Sequence, residues 1–205
     1  MPTTSGLKEL TMVNIIRAAD LSVVGSNGGA WCAPLGTAQP VNKEAAPTGA
    51  WLAIGAISDD GLTNGVEEDS ESFTPWGQVS PFRTVTTSSV RTFSLTAWET
   101  NRPIVRSLHN RIPVADLVPD VDGIVTFSET ATPTPDRRAW LFDVYDGTVW
   151  ERFYVPEAEI TERSDVTYAQ GEIAGYEWTI STYPDSNGVL VYHSYMAPEV
   201  EEHLS

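Results

Sequence analysis

Residues 138–155 read RAWLFDVYDGTVWERFYV, and this stretch decides the class of fold. Two runs of apolar residues with a period of two meet at Asp146-Gly147, a dipeptide suited to the positive φ angles of a tight hairpin turn. A two-residue turn there pairs Val144 with Val149, Phe142 with Glu151 and Trp140 with Phe153. The resulting face is apolar except for Glu151, which lies at an interface or signals a different register.

Working outward, the same turn chemistry recurs at Asn27-Gly28, Asp60-Gly61, Asn64-Gly65, Asp122-Gly123 and Asn187-Gly188. Tyr176, Trp178 and Ile180 alternate with Glu177, Thr179 and Ser181, and Pro184–Gly188 then turns the chain into VLVYHSY. Phe82–Thr87 and Val90–Trp98 read as another strand pair, with Phe93, Leu95 and Ala97 on one face, and Gly123–Ser128 as one more strand. The segment Glu99–Arg111 breaks the pattern. Ile104, Val105 and Leu108 fall at helical spacing there, Thr100 or Asn101 is placed to cap, and Pro103 is tolerated in a first turn. The expected fold is mainly β: an antiparallel sandwich or barrel with one short flanking helix. No repeat, low-complexity tract or linker divides the chain. One domain over residues 1–205 is expected, with an extended loop at 34–50, an acidic hairpin at 58–72 and a short acidic C-terminal tail.

The chain has 205 residues, 28 acidic against 12 basic, and a formal net charge of -16. Nucleic-acid affinity comes mainly from Lys and Arg neutralising phosphates, so this balance repels DNA and disfavours an anionic membrane. Cys32 is the sole cysteine, which leaves no intrachain disulfide. The first residues lack the apolar run of a signal peptide, and no stretch approaches 18 uninterrupted apolar residues. Folding in a reducing cytoplasm is expected.

The stretch from Trp51 to Gly77, WLAIGAISDDGLTNGVEEDSESFTPWG, holds six carboxylates, Asp59, Asp60, Glu67, Glu68, Asp69 and Glu71. No Lys or Arg lies between Lys43 and Arg83. Asp60, Asn64, Gly65 and Glu71 match four positions of a Ca²⁺-binding loop, but Leu62 stands where an oxygen ligand is required, and the flanks read as strands. A glycosidase-type carboxylate pair has no specificity in so acidic a chain. His109, His193 and His203 fall at no metal-ligand spacing, and no nucleophile or phosphate-loop motif is present. Neither a catalytic residue nor a cofactor or metal is expected. Seven Trp admit a sugar-binding platform but fit core and interface anchors better.

The order APLGTAQP, then GAWLAIGAISDDGLTNGVEEDSESFTPWG, then a Thr-rich strand pair, then LTAWETNRPIVRSL resembles the major tail protein family of long-tailed bacteriophages, especially those of actinobacterial hosts. The matching stretch runs from about Ala33 to Leu108. The resemblance implies a tail-tube subunit: six copies close into a ring, and rings stack around a channel that conducts DNA. It also implies partners among the tape measure, tail terminator and distal tail proteins, and a place in the virion tail after assembly in the host cytoplasm. An acidic wall would let DNA slide without sticking. The acidic hairpin then lines the lumen or meets the next ring, with Arg83, Arg91, Arg102 and Arg106 as its cationic partners. The competing readings are a tail terminator or decoration protein, and an adhesive or carbohydrate-binding β module.

Overall fold

The computed structural model describes residues 23–41, 46–132, 134–147 and 149–196. The expected C-terminal tail and His203 lie outside them. The protein is mainly β, 46% strand and 7% helical, and the described residues form one antiparallel sheet of eight strands and a single short α-helix. The strands are β1 (Asn27–Pro34), β2 (Leu52–Ala53), β3 (Ile57–Phe73), β4 (Arg83–Ala97), β5 (Arg138–Asp146), β6 (Val149–Arg163), β7 (Tyr176–Thr182) and β8 (Tyr192–Tyr195). The helix α1 spans Pro103–Asn110 and leads into a 3₁₀ turn at Val114–Asp116.

The sheet runs β2-β1-β5-β6-β7-β4-β3, and β8 pairs with β6 beside this path. One edge of β6 holds β8 along Glu151–Tyr154 and β7 along Ala158–Arg163. Two register shifts make this possible: one opposite Arg138–Trp140, where Pro156 has no N–H to give, and one between Ile160 and Glu162. Each bulge coils the strand, and the sheet doubles over on itself. Phe93 of β4 and Phe142 of β5 stack at 4.6 Å although β6 and β7 lie between their strands. The core enclosed this way draws Cys32, Leu95, Trp140, Val155 and Trp178 from five strands, and Ile104, Val105 and Leu108 of α1 close its open side.

Several expectations are corrected. The β5–β6 register is Val144↔Glu151, Phe142↔Phe153 and Trp140↔Val155, two residues from the expected one. The apolar faces still coincide, and Asp146 faces Val149 so that Gly147, at φ 60, lies in the turn. Phe82–Thr87 and Val90–Trp98 are not a pair: Arg83–Ala97 is one strand, matched along its length to β3. The acidic stretch 58–72 is therefore one strand, and the turn of its hairpin lies at residues 74–82. Residues 51–57 form only the two-residue β2 and the first residue of β3, because Gly55, at φ 91, breaks the extended run. Residues 123–128 form no strand. Asp120 instead closes a local loop by accepting from the backbone N–H of Asp122 and Ile124.

Candidate functional site: an arm, an acidic face and a cationic corner

β3 and β4 begin inside the fold and end far outside it. At their base Leu95 and Phe93 are buried in the core and β7 flanks β4, but that pairing ends at Thr92↔Ser181. Beyond it Val66–Phe73 and Arg83–Arg91 continue as a two-stranded arm. At about 3.3 Å per residue it reaches about 25 Å past the body. Gly65 forms the neck, where a Cβ would come within 2.7 Å of Thr92 Oγ1. At the tip the apolar side chains have nothing to bury against: Trp76 is 105% exposed, Val79 100% and Phe82 81%.

The six sequence-predicted carboxylates separate into two groups. Asp59 and Asp60 sit in a bulge, since the register jumps from Ile57↔Ala97 to Leu62↔Leu95 and Gly61 takes φ 71. They line a cleft of about 610 Å³ beside Gly28, Gly29 and Asp143. Glu67, Asp69 and Glu71 share one face of the arm, and Glu68 projects from the other, within 3.4 Å of Ser89 Oγ. Among the described residues the arm carboxylates make no ion pair. The Ca²⁺-loop match dissolves here: Asp60, Asn64, Gly65 and Glu71 are strung along a strand, and Asn64 Oδ1 accepts from Arg91 Nη1 at 3.0 Å. No group of three or more His, Cys, Asp or Glu among the described residues is placed to hold a metal ion.

The four predicted cations also separate. Arg91 and Arg83 belong to the arm itself, Arg83 beside Glu71, Phe73 and Val85 in a shallow trough. Arg102 is committed to Glu99, its Nε 2.8 Å from Oε2. The other oxygen of Glu99 accepts the Ala56 N–H at 2.8 Å, and a Cβ on Gly55 would lie 2.5 Å from this carboxylate. The backbone bond from Ala56, reinforced by Arg102, holds the Glu99 carboxyl below the usual carboxylate range. WLAIGA and AWETNRP thus meet in space. Neither Thr100 nor Asn101 caps α1; its N-cap is Arg102, with Pro103 as the first helical residue and no side-chain cap. Asn101 Oδ1 instead accepts from Arg106 at 2.6 Å.

Sequence reasoning missed the cationic character of the far end of α1. Arg111 ends the helix at φ 55, and Arg163 of β6 donates to the carbonyls of Leu108 and Ile160, both at 3.0 Å. A guanidinium suits the negative end of the helix dipole. Burial, and then Arg111, press the Arg163 pKa down, although neither deprives it of its charge. His109 lies flat on Tyr176, ring centroids 3.7 Å apart, and its Nδ1 accepts from Trp178 Nε1 at 3.3 Å. Burial, then Arg163 and Arg106, lower its pKa and favour the neutral ring. Arg106, Arg111 and Arg163 form a cationic corner around it.

The outward face of the β3–β4–β7–β6 sheet has a different chemistry. Thr92, Ser94 and Thr96 register with Ser181, Thr179 and Glu177, and Glu159 and Glu162 of β6 continue the rows. Thr161 Oγ1 and Ser181 Oγ lie 2.8 Å apart. Arg137 stands over the Tyr183 ring at 3.9 Å and reaches Glu157 and Glu159. Around β1, β5 and the first half of β6 the same face is apolar instead, with Ala33, Leu141, Trp51 and Tyr154 in a second cluster. There Asp143 and Arg152, 3% and 0% exposed, form a bidentate pair at 2.6 and 2.7 Å. Cys32 belongs to the core, where burial pushes its thiol up to about 12.

An arm that no other described part of the chain covers is typical of proteins that work by association. Among the described residues no helix is long and apolar enough to cross a membrane. The phage tail tube protein family matches residues 18–198, and the chain belongs to it. It is therefore a structural component of a bacteriophage virion, in the tail tube. No curated protein matches the chain.

Proposed function

We propose that the chain is a non-enzymatic, single-domain subunit that closes into six-membered rings, and that the rings stack into a tube for DNA passage during infection. The observation that carries this reading is the division of labour in the β3–β4 hairpin. Its base is core, its outward face joins an acidic, hydroxyl-rich sheet, and its end is an arm with an apolar tip. Glu159, Glu162 and Glu177 with the Ser and Thr rows make the channel wall, since fixed negative charge repels phosphate and hydroxyls hold water rather than DNA. The arm carboxylates, Glu67 to Glu71, face a neighbouring copy rather than the bore. The open outer edge of β3 and the short β2 at the other end of the sheet supply the lateral contacts. A long-tailed phage of an actinobacterial host, assembly in the host cytoplasm, and tape measure, terminator and distal tail partners belong to the same reading.

Electron microscopy of the purified protein across concentration and salt, with the mass of the soluble species, tests it. The expected result is hollow sixfold tubes with Glu159, Glu162 and Glu177 on the bore. Tubes with this face turned outward would defeat the channel assignment, and single closed rings at every concentration would favour a tail terminator.

A further inference from the structure

The arm presents two chemistries in sequence, four carboxylates along the ribbon and then an apolar tip. Among the described residues its own body answers neither of them, because β4 leaves β7 at Thr92 and the arm continues beyond it. What a second copy offers follows from elimination among the described arginines. Arg102, Arg137, Arg138 and Arg152 are already paired with Glu99, Glu157, Asp136 and Asp143. Arg83 and Arg91 lie on the arm. That leaves Arg106, Arg111 and Arg163 around α1, where Arg106 and Arg163 both bear on His109 and Arg111 bears on Arg163.

The corner has an apolar neighbour as well. The chain leaving α1 buries Leu117 and then exposes Val118 at 67%, Val121 at 101% and Ile124 at 59%. The Asp120 turn holds this loop in a fixed shape, with Gly123 N–H on the Asp120 carbonyl at 3.1 Å. The loop also exposes Asp116, Asp120 and Asp122, so the match to the arm is between Arg106 and Arg111 and the acidic ribbon, and between Val118, Val121 and Ile124 and the apolar tip. Like charges also meet at the corner, where Arg111 bears on Arg163. An incoming carboxylate relieves that crowding, and long-range attraction steers the encounter.

We infer that the acidic arm of one copy docks on the α1 corner of a second copy, with Glu67, Asp69 and Glu71 opposite Arg106 and Arg111, Arg163 behind them, and the Trp76–Phe82 tip on the Val118–Ile124 loop. This rests on the tube-subunit reading for the identity of the partner, and it names the surface that reading leaves open.

The test places p-benzoylphenylalanine at exposed Gln78, irradiates the full chain, and maps the cross-linked peptides by mass spectrometry. Adducts joining the tip to residues 102–125 of another copy are expected. Adducts to any other part of the chain, or none at high concentration, would overturn the docking site. The charge register is tested in the same assay. Reversing the arm (E67K, D69K, E71K) or the corner (R106E, R111E) should each lower adduct yield about tenfold, and combining the reversals in one chain should restore it. Unchanged yield in the single reversals, or no recovery in the combination, would reject the pairing. The arm set is fully exposed and keeps the test valid if the corner set misfolds. Microscopy separates the two readings: mapped adducts without tubes would leave the docking site standing and remove the tube.

Discussion

The two ends of the β3–β4 hairpin are built from the same two strands, yet they obey different rules. At the base, period-two alternation puts Phe93, Leu95 and Ala97 inside and Ser94 and Thr96 outside. On the arm, alternation of burial disappears because neither face meets the body, and the sequence turns to carboxylates on one strand and hydroxyls on the other. A strand's ladder hydrogen bonds do not depend on which face is buried, so one pairing register can serve both folding and contact. The difference teaches where stability and assembly separate, and substitutions at the two ends should separate them experimentally.

The largest stability effects belong to the body. Phe93→Ala removes a ring stacked on Phe142 and should cost about 3–5 kcal/mol, read by urea denaturation. Asp143→Ala leaves the buried Arg152 guanidinium without its carboxylate and should cost a similar 3–5 kcal/mol, about the same as losing an aromatic core residue. At the junction, Gly55→Ala forces a side chain into φ 91 and against Glu99. We expect a loss of about 1–3 kcal/mol, with no change in secondary structure by circular dichroism.

A smaller, pH-dependent effect comes from His109. Its pKa is lowered in the folded protein, so the unfolded chain binds a proton first as pH falls below the ordinary value of 6.5. Stability contributed by the neutral ring is thus complete above that value and is lost as pH drops towards the folded pKa. Unfolding at pH 7.5 and 5.5 should show a smaller difference for His109→Gln than for the parent chain. The smallest stability effect should be at the arm tip. Trp76→Ala should change the unfolding free energy by no more than about 0.5 kcal/mol, while sedimentation shows assembly impaired. A substantial loss of stability there would mean that the tip is packed in the monomer, and the contrast between base and arm would fail.

Much of the sheet was legible because its strands alternate over a single apolar face: Tyr176, Trp178 and Ile180, or Phe93, Leu95 and Ala97, need nothing beyond period two. The β5–β6 register was not, since a shift of two residues keeps every side chain on its face and only the placement of Gly147 in the turn decides it. The hairpin assignment for residues 58–72 failed for a related reason. Asp60-Gly61 and Asn64-Gly65 carry turn chemistry, but the first makes a bulge and the second a neck against Thr92. The six carboxylates of the acidic segment are exposed. The cationic corner at α1 was missed because Arg163 lies 52 positions after Arg111 in sequence, and only the fold brings them together. Glu159, Glu162 and Glu177 did leave a signal, as charged residues alternating with Ala158, Ile160 and Trp178.

The pairing of β1 with β5 joins Asn27 to Tyr145, whereas the arm closes a loop between Phe73 and Arg83. Loop-closure entropy and contact order set the sequence of events. The arm's contacts are local and should form first, while those of the body must wait for most of the chain to be made. Throughout that interval β1 and the future core strands are unpaired, next to an apolar tip already on display. The exposed carboxylates of β3 stand where gatekeeper residues do, beside an apolar tip, and should keep unfinished chains apart by repulsion until the body has closed.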